Sequence, residues 1–278
     1  MDFITGGWFG KTLVWKENPG GDKEWKEHVI ATPGNIETTR SWDVDGDGEV
    51  EIVPNTPNDP LVIYRHQKGS DQFSAHKILD EKSGHGIGFG DINGDGRGDF
   101  VVPGGWIEAP AAPFSAAWTF HKEFNLGTAS VPVIIADVNK DGLADIIAGQ
   151  GHSYGLDWYE QKKDGKSGKR TWIKHIIDPF NSQYHTMQWV DIDGDGQEEL
   201  VTGKRYRAHN EHDPGSADPC GIYYFKWNGA GFTKQIISYN EKGAGLYFSI
   251  YDLTGSGRKD LIVAGKDGLF IFYNKGNK

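Results

Sequence analysis

One acidic phrase recurs along the chain and decides most of what it can fold into. It reads DVDGDGEVE from Asp43, DINGDGRGD from Asp91, DVNKDGLAD from Asp137 and DIDGDGQEE from Asp191. A degraded copy, DLTGSGRKD, begins at Asp252. The copies start 48, 46, 54 and 61 residues apart, a period that suits one supersecondary unit per repeat. In the form D-x-[DN]-x-D-G-x-x-[DE], oxygen side chains at positions 1, 3, 5 and 9, with a backbone carbonyl at 7, wrap a hard cation such as Ca2+. Glycine at position 6 permits the sharp turn this requires. An EF-hand would carry Glu at position 12, where Pro54 and Val102 stand in the first two copies.

The phrase predicts up to four structural Ca2+ sites. Their ligands are Asp43, Asp45, Asp47 and Glu51; Asp91, Asn93, Asp95 and Asp99; Asp137, Asn139, Asp141 and Asp145; and Asp191, Asp193, Asp195 and Glu199. In the fifth copy Thr254 and Ser256 stand where carboxylates belong, so weak or no binding is expected there. These ligand positions hold 14 of the 39 acidic residues, against 29 basic ones and a net charge of −10. Four bound Ca2+ ions would leave about −2, so the acidity is mostly ligand inventory.

After position 9 the residues turn apolar and β-branched, as in Glu51-Ile52-Val53 and Asp145-Ile146-Ile147, so each loop feeds a strand. An aromatic-rich strand follows: LVWKEN (13–18), VIYRHQ (62–67), WTFHKE (118–123), LDWYEQ (156–161), IYYFKW (222–227) and LFIFYN (269–274). A third segment comes next, such as WKEHVI (25–30), FSAHKIL (73–79) and WIKHIID (172–178), and a short strand such as TMQWVD (186–191) precedes each loop. With little helical periodicity, the expected fold is an all-β β-propeller of four-stranded blades, strands A to D, the acidic loop joining A to B. Six repeats are visible, the first and last incomplete. Residues 1–278 are expected to form a single β-propeller domain, truncated within a repeat because Asp2 takes position 9 of a loop that lacks its beginning. The missing strands would belong to a longer parent of six or seven blades.

The run DVDGDG, DINGDG, DVNKDG, DIDGDG and its four-strand period resemble the FG-GAP/VCBS-type calcium-loop β-propellers. The resemblance covers nearly the whole chain and implies the fold more than any activity. The acidic balance argues against nucleic acid or an anionic membrane surface as partner. A single cysteine, Cys220, excludes a disulfide framework, and no apolar run is long enough for a membrane helix. Calcium loops of this kind fill at extracellular calcium levels, so a secreted or periplasmic location is expected.

Five of the ten histidines fall outside the repeat pattern. His85 and His185 each stand six residues before an acidic loop, where strand A begins, and Glu37 holds the same place in its repeat. His152, His209 and His212 follow B strands, in GQGHSYG and GKRYRAHNEHDPG. Antiparallel geometry sends the starts of A strands and the B–C loops to the face opposite the acidic loops. Glu37, Trp106, Glu108, Tyr206, Arg207 and His212 are therefore candidate sugar-binding residues rimming a channel mouth. Two or three histidines with a carboxylate suit a divalent metal such as Zn2+ or Mg2+ there, and a neutral histidine beside it suits a general base.

The phrases GHGIGFGD, GHSYGLDWYEQ, QYHTMQW and TGKRYRAHN are similar to the propeller domain of the aldos-2-ulose dehydratase (1,5-anhydro-D-fructose dehydratase) family, whose cupin-like domains are absent here. That resemblance implies metal-assisted dehydration of a keto-sugar, a carbon–oxygen lyase reaction by β-elimination next to a carbonyl. It implies His85 and His185 as ligands of the catalytic metal, and His152 as base. Tyr154, Lys204, Arg205 and His209 would orient the substrate. The alternatives are a non-catalytic carbohydrate-binding or adhesion propeller and a polysaccharide lyase.

Overall fold

The computed structural model describes residues 2–276. They divide into two compact units, one ending at Leu126 and the other starting at Gly127. The first unit holds three antiparallel sheets. Blade 1 is β1 (Phe3–Gly6), β2 (Leu13–Glu17) and β3 (Lys26–Ala31); blade 2 is β4 (Thr38–Trp42), β5 (Glu51–Asn55), β6 (Pro60–His66) and β7 (Phe73–Lys82). Blade 3 is β8 (Gly88–Gly90), β9 (Asp99–Val102), β10 (Gly105–Glu108) and β11 (Thr119–His121).

The second unit repeats the plan. Blade 4 is β12 (Ile134–Ala136), β13 (Asp145–Gly149), β14 (Tyr154–Lys163) and β15 (Arg170–Ser182). Blade 5 is β16 (Tyr184–Val190), β17 (Glu199–Lys204), β18 (Gly221–Trp227) and β19 (Phe232–Tyr239), and blade 6 is β20 (Tyr247–Tyr251), β21 (Asp260–Gly265) and β22 (Gly268–Phe272). Each sheet pairs its strands in sequence order, so the chain has the all-β propeller fold: six blades, the first and last with three strands. Among the described residues no helix is long and apolar enough to cross a membrane.

The B strands explain the layering. β5, β9, β13 and β17 are buried along their whole length, each with an apolar centre, flanked in β5 and β17 by buried polar or glycine ends. Outer strands alternate instead, as β15 does. In the second unit Ile147, Leu156, Tyr184, Met187, Leu200, Tyr223 and Phe225 share one core cluster. Leu13, Ile36, Ile52 and Tyr64 form one in the first.

One strand assignment is corrected. Residues 118–123 were expected to supply the third strand of their repeat. That place belongs to β10, which pairs with β9 from Gly105 opposite Val102, and β11 is the outermost strand. The intervening Pro103-Gly104 is a tight-turn signal, and it makes VVPGGWIE a hairpin rather than a strand and a long loop. Trp106 and Glu108 consequently lie in a strand.

Candidate functional site

The acidic loops are built by their own carboxylates. Asp43 accepts hydrogen bonds from the amides of Gly46 and Gly48 at 2.8 and 2.9 Å, and Asp191 from those of Gly194 and Gly196 at 2.7 and 3.0 Å. Asp91 does the same with Gly94 and Gly96 (2.7 and 2.8 Å), and Asp137 with Asp141 and Gly142 (3.0 and 2.9 Å). Positions 4 and 6 need the left-handed region: Gly46 and Gly48 have φ of 76° and 89°, and Lys140 accepts 60° in the third loop.

Position 9 is buried in all four loops: Glu51, Asp99, Asp145 and Glu199 are at most 1% exposed. Burial pushes Asp99 and Asp145 up to about 6 and raises Glu51 and Glu199. The two aspartates fasten the blade. Asp99 accepts the amides of Ile92 (3.0 Å) and Ala109 (2.8 Å), and Asp145 those of Val138 (3.2 Å) and Gln161 (2.8 Å), tying the loop to the end of strand C. Asp260 repeats this in the degraded loop with Leu253 and Asn274 at 3.1 and 2.9 Å. The glutamates, one methylene longer, make only the first tie, Glu51 to Val44 and Glu199 to Ile192, both at 3.0 Å. The second oxygen of Glu199 is buried and makes no hydrogen bond.

Asp43, Asp45 and Glu51 each offer one oxygen within 4.8 Å of the others, and so do Asp191, Asp193 and Glu199. An all-oxygen set with a buried, unsatisfied carboxylate oxygen suits a hard cation such as Ca2+.

The histidines of the second unit form a different kind of cluster. Asp213 is its centre. His152 Nδ1 lies 3.0 Å from Asp213 Oδ2 and His209 Nδ1 lies 3.3 Å from Oδ1, while Gln183 Nε2 donates to Oδ2 at 3.3 Å. The His152 and His209 rings are 4.4 Å apart, and His185, fully buried in β16, meets His152 edge-on at 5.9 Å. Lys204, at the end of β17 and fully buried, donates to Gln183 Oε1 at 3.3 Å. Desolvation pulls its ammonium below the ordinary lysine range. The loop reaches this geometry through left-handed Arg207, His209, Asn210 and Glu211, at φ of 43°, 49°, 53° and 68°. Four such non-glycine residues store strain of the kind that gathers at functional loops.

Other expected residues fall around or away from this cluster. Tyr154 donates to Asp218 at 2.6 Å. Arg205 bridges to Ala244, and Tyr206 lies under the Arg207 guanidinium, which pairs with Glu211 at 3.1 Å. His212 is exposed. In the first unit Glu37 and His85 come within 3.7 Å of each other. Trp106 is 2% exposed and stacked on His121, whose Nε2 lies 2.8 Å from Glu108. Sequence reasoning missed Gln183, Asp213 and Asp218. Asp213 was within reach, being four residues after His209, whereas nothing marked Gln183.

Three histidine–tryptophan pairs recur with the repeat and have a structural reason. His28, His121 and His175 stack on Trp15, Trp106 and Trp158 at 4.2, 4.2 and 4.4 Å, and each reaches a strand-C glutamate.

A family model described as the FG-GAP-like repeat matches residues 43–102 and 137–202. No curated protein matches the chain. Each matched segment begins at one acidic loop and ends in the strand that follows the next, so the chain carries FG-GAP-like repeats over these residues within its β-propeller fold.

Proposed function

We propose that this chain is a calcium-stabilised propeller that acts on a carbohydrate, as a metal-assisted sugar dehydratase or lyase working by β-elimination next to a carbonyl. The observation that carries the reading is the convergence of His152, His209 and Asp213, whose ligand atoms lie within 4.8 Å of one another, beside the buried Lys204. His209 Nδ1 and Asp213 Oδ1, 3.3 Å apart, suit two ligands of a divalent transition metal, which when bound would supply Lewis acidity toward a substrate carbonyl and leave His152 outside the ligand set.

The chain's own groups suit the remaining work. With Asp213 accepting the proton of His152 Nδ1, the lone pair sits on Nε2, the arrangement of a general base near neutral pH. In the elimination that base takes the proton from the carbon beside the carbonyl. The C–H electrons form the double bond, and the hydroxyl of the next carbon leaves as water, taking the proton that His152 Nε2 has accepted. Lys204, desolvated and held by Gln183, suits a cationic partner for the negative charge that builds on the carbonyl oxygen.

The test is metal content and turnover after calcium removal and reloading with Zn2+. Wild type should retain one transition metal per chain and dehydrate a keto-sugar, followed by the appearance of the enone absorbance. Asp213→Ala should lose the metal and at least about 100-fold in rate. A variant that keeps both its metal and its turnover would overturn the reading, and glycan binding without turnover in wild type would leave a carbohydrate-binding propeller.

A further inference from the structure

The acidic loops come in two electrical kinds, and the difference lies outside the repeated phrase. In the first and fourth loops position 3 is aspartate, position 9 is glutamate, and the strand-C residue beside the loop is basic: Arg65 or Lys226. In the second and third loops position 3 is asparagine, position 9 is aspartate, and the equivalent residue is Glu108 or Glu160. The registers that align them are Ile52 opposite Tyr64, Phe100 opposite Ile107, Ile146 opposite Tyr159 and Leu200 opposite Phe225, each one residue short of this position.

The side chains follow the division. Lys226 Nζ sits 2.6 Å from Asp193 and 2.5 Å from Asp195, in contact with positions 3 and 5, and 3.7 Å from Glu199 at position 9. Arg65 does the same, at 2.9 Å from Asp45, 2.7 Å from Asp47 and 3.6 Å from Glu51. In the other pair the strand-C carboxylate faces the loop: Asn93 Nδ2 donates to Glu108 at 3.3 Å and Asn139 Nδ2 to Glu160 at 2.8 Å. The basic residues near those loops, Arg97 and Lys162, reach one loop carboxylate each, Asp95 and Asp141, both at position 5.

We propose that Arg65 and Lys226 are tethered counter-ions that occupy the cation position of the first and fourth loops, so that these two loops take up Ca2+ only by displacing a side chain, while the second and third loops bind it without that competitor. The proposal rests on the reading of the loops as Ca2+ sites. Its physical basis is exclusion: a cationic side chain in contact with two of the ligand oxygens and within 3.7 Å of a third cannot share them with a divalent ion, and two positive charges at contact distance repel. The fold gains from the arrangement when calcium is scarce. Lys226 keeps Asp193, Asp195 and Glu199 from repelling one another, so blade 5 stays charge-compensated without a metal. The two kinds of loop then fill at different calcium concentrations, the second and third first.

The test uses the full chain stripped with chelator and titrated with CaCl2, following the position-6 glycine amides Gly48, Gly96, Gly142 and Gly196 by NMR, one reporter per loop. Wild type should show Gly96 and Gly142 shifting at lower calcium than Gly48 and Gly196. Lys226→Met, which keeps the aliphatic stem, should move the Gly196 midpoint down by about tenfold or more and leave Gly142 alone. Arg65→Met should do the same for Gly48, and Lys162→Met should change Gly142 much less. Thermal melting gives a second readout: Lys226→Met should melt below wild type in chelator and no lower than wild type in saturating calcium. A Gly196 midpoint that stays put or rises in Lys226→Met sinks the counter-ion proposal while leaving the calcium reading intact. Amides that ignore calcium in every protein sink both.

Discussion

Asp178, in the outer strand of blade 4, offers a charge whose stabilising effect can be worked from its surroundings. It is 5% exposed, and its carboxylate accepts hydrogen bonds from Lys234 Nζ (2.6 Å), Tyr184 OH (2.7 Å), Asn181 Nδ2 (2.9 Å) and the Phe180 amide (2.8 Å). Burial alone would raise its pKa, but these donors outweigh it and hold the group at about 2 against an ordinary 3.8. A carboxylate depressed in the folded state contributes stability that is complete above its unfolded value and lost as pH falls through the folded one. The window therefore runs from about pH 5 down to about 2, and the shift corresponds to about 2 kcal/mol at pH 7. Asp178→Asn keeps the side-chain shape but leaves Lys234 without its counter-charge. Because that ammonium is 30% exposed, water takes up part of the loss, and the cost falls below the roughly 3–5 kcal/mol of a fully buried broken pair. Urea denaturation of wild type and variant at several pH values is the assay. The stability gap should be about 2 kcal/mol at pH 7 and shrink steadily below pH 4. A gap that is absent at pH 7, or that stays constant down to pH 2.5, would refute the reasoning.

Two further outcomes follow from the same structure. Excess chelator should lower the Tm of calcium-loaded protein by about 5 °C or more, since each site at 100-fold saturation contributes about 2.7 kcal/mol; an unchanged Tm would mean the carboxylates are satisfied without an ion. Trp106→Ala should cost about 3–5 kcal/mol in urea denaturation, as expected for emptying a buried aromatic site, with glycan affinity of the folded protein unchanged. Loss of affinity at full stability would return Trp106 to a binding role.

Periodicity made the blades legible. A phrase repeated every blade, followed by β-branched residues, fixes strand B and the loop, and the four-strand count follows from the length between phrases. The miss at 118–123 has a local cause: Pro103-Gly104 turns within two residues, and the short β10 carries too few residues to advertise a strand. The candidate site was half visible. His152, His185, His209 and Lys204 were marked because they stand outside the repeat, and the structure brings them to one place in the second unit. Asp213 and Gln183 were silent, because their part depends on a loop threaded through left-handed residues and on a glutamine held at φ 60°, neither of which leaves a pattern in composition or spacing. Trp106 and Glu108 were placed in a B–C loop for the same reason β10 was missed.

The position-9 aspartate has a consequence for how such a chain can change. In the degraded loop, Thr254 and Ser256 have replaced two acids, yet Asp260 still holds both the loop amide and the end of strand C. Asp2 keeps the strand-C half of the same tie, accepting the Asn18 amide at 3.0 Å. Mechanical closure of the hairpin is thus separable from ion chemistry. The repeat that has lost two of its loop acids remains a blade, its position-9 carboxylate still holding the loop. Where glutamate has taken that place, the tie to strand C is gone, and a basic side chain from that strand has come to stand over the loop instead. Positions 3 and 5 therefore differ among the copies while position 9 carries a carboxylate in every one, so the loops differ in the groups they present and each blade keeps its anchor.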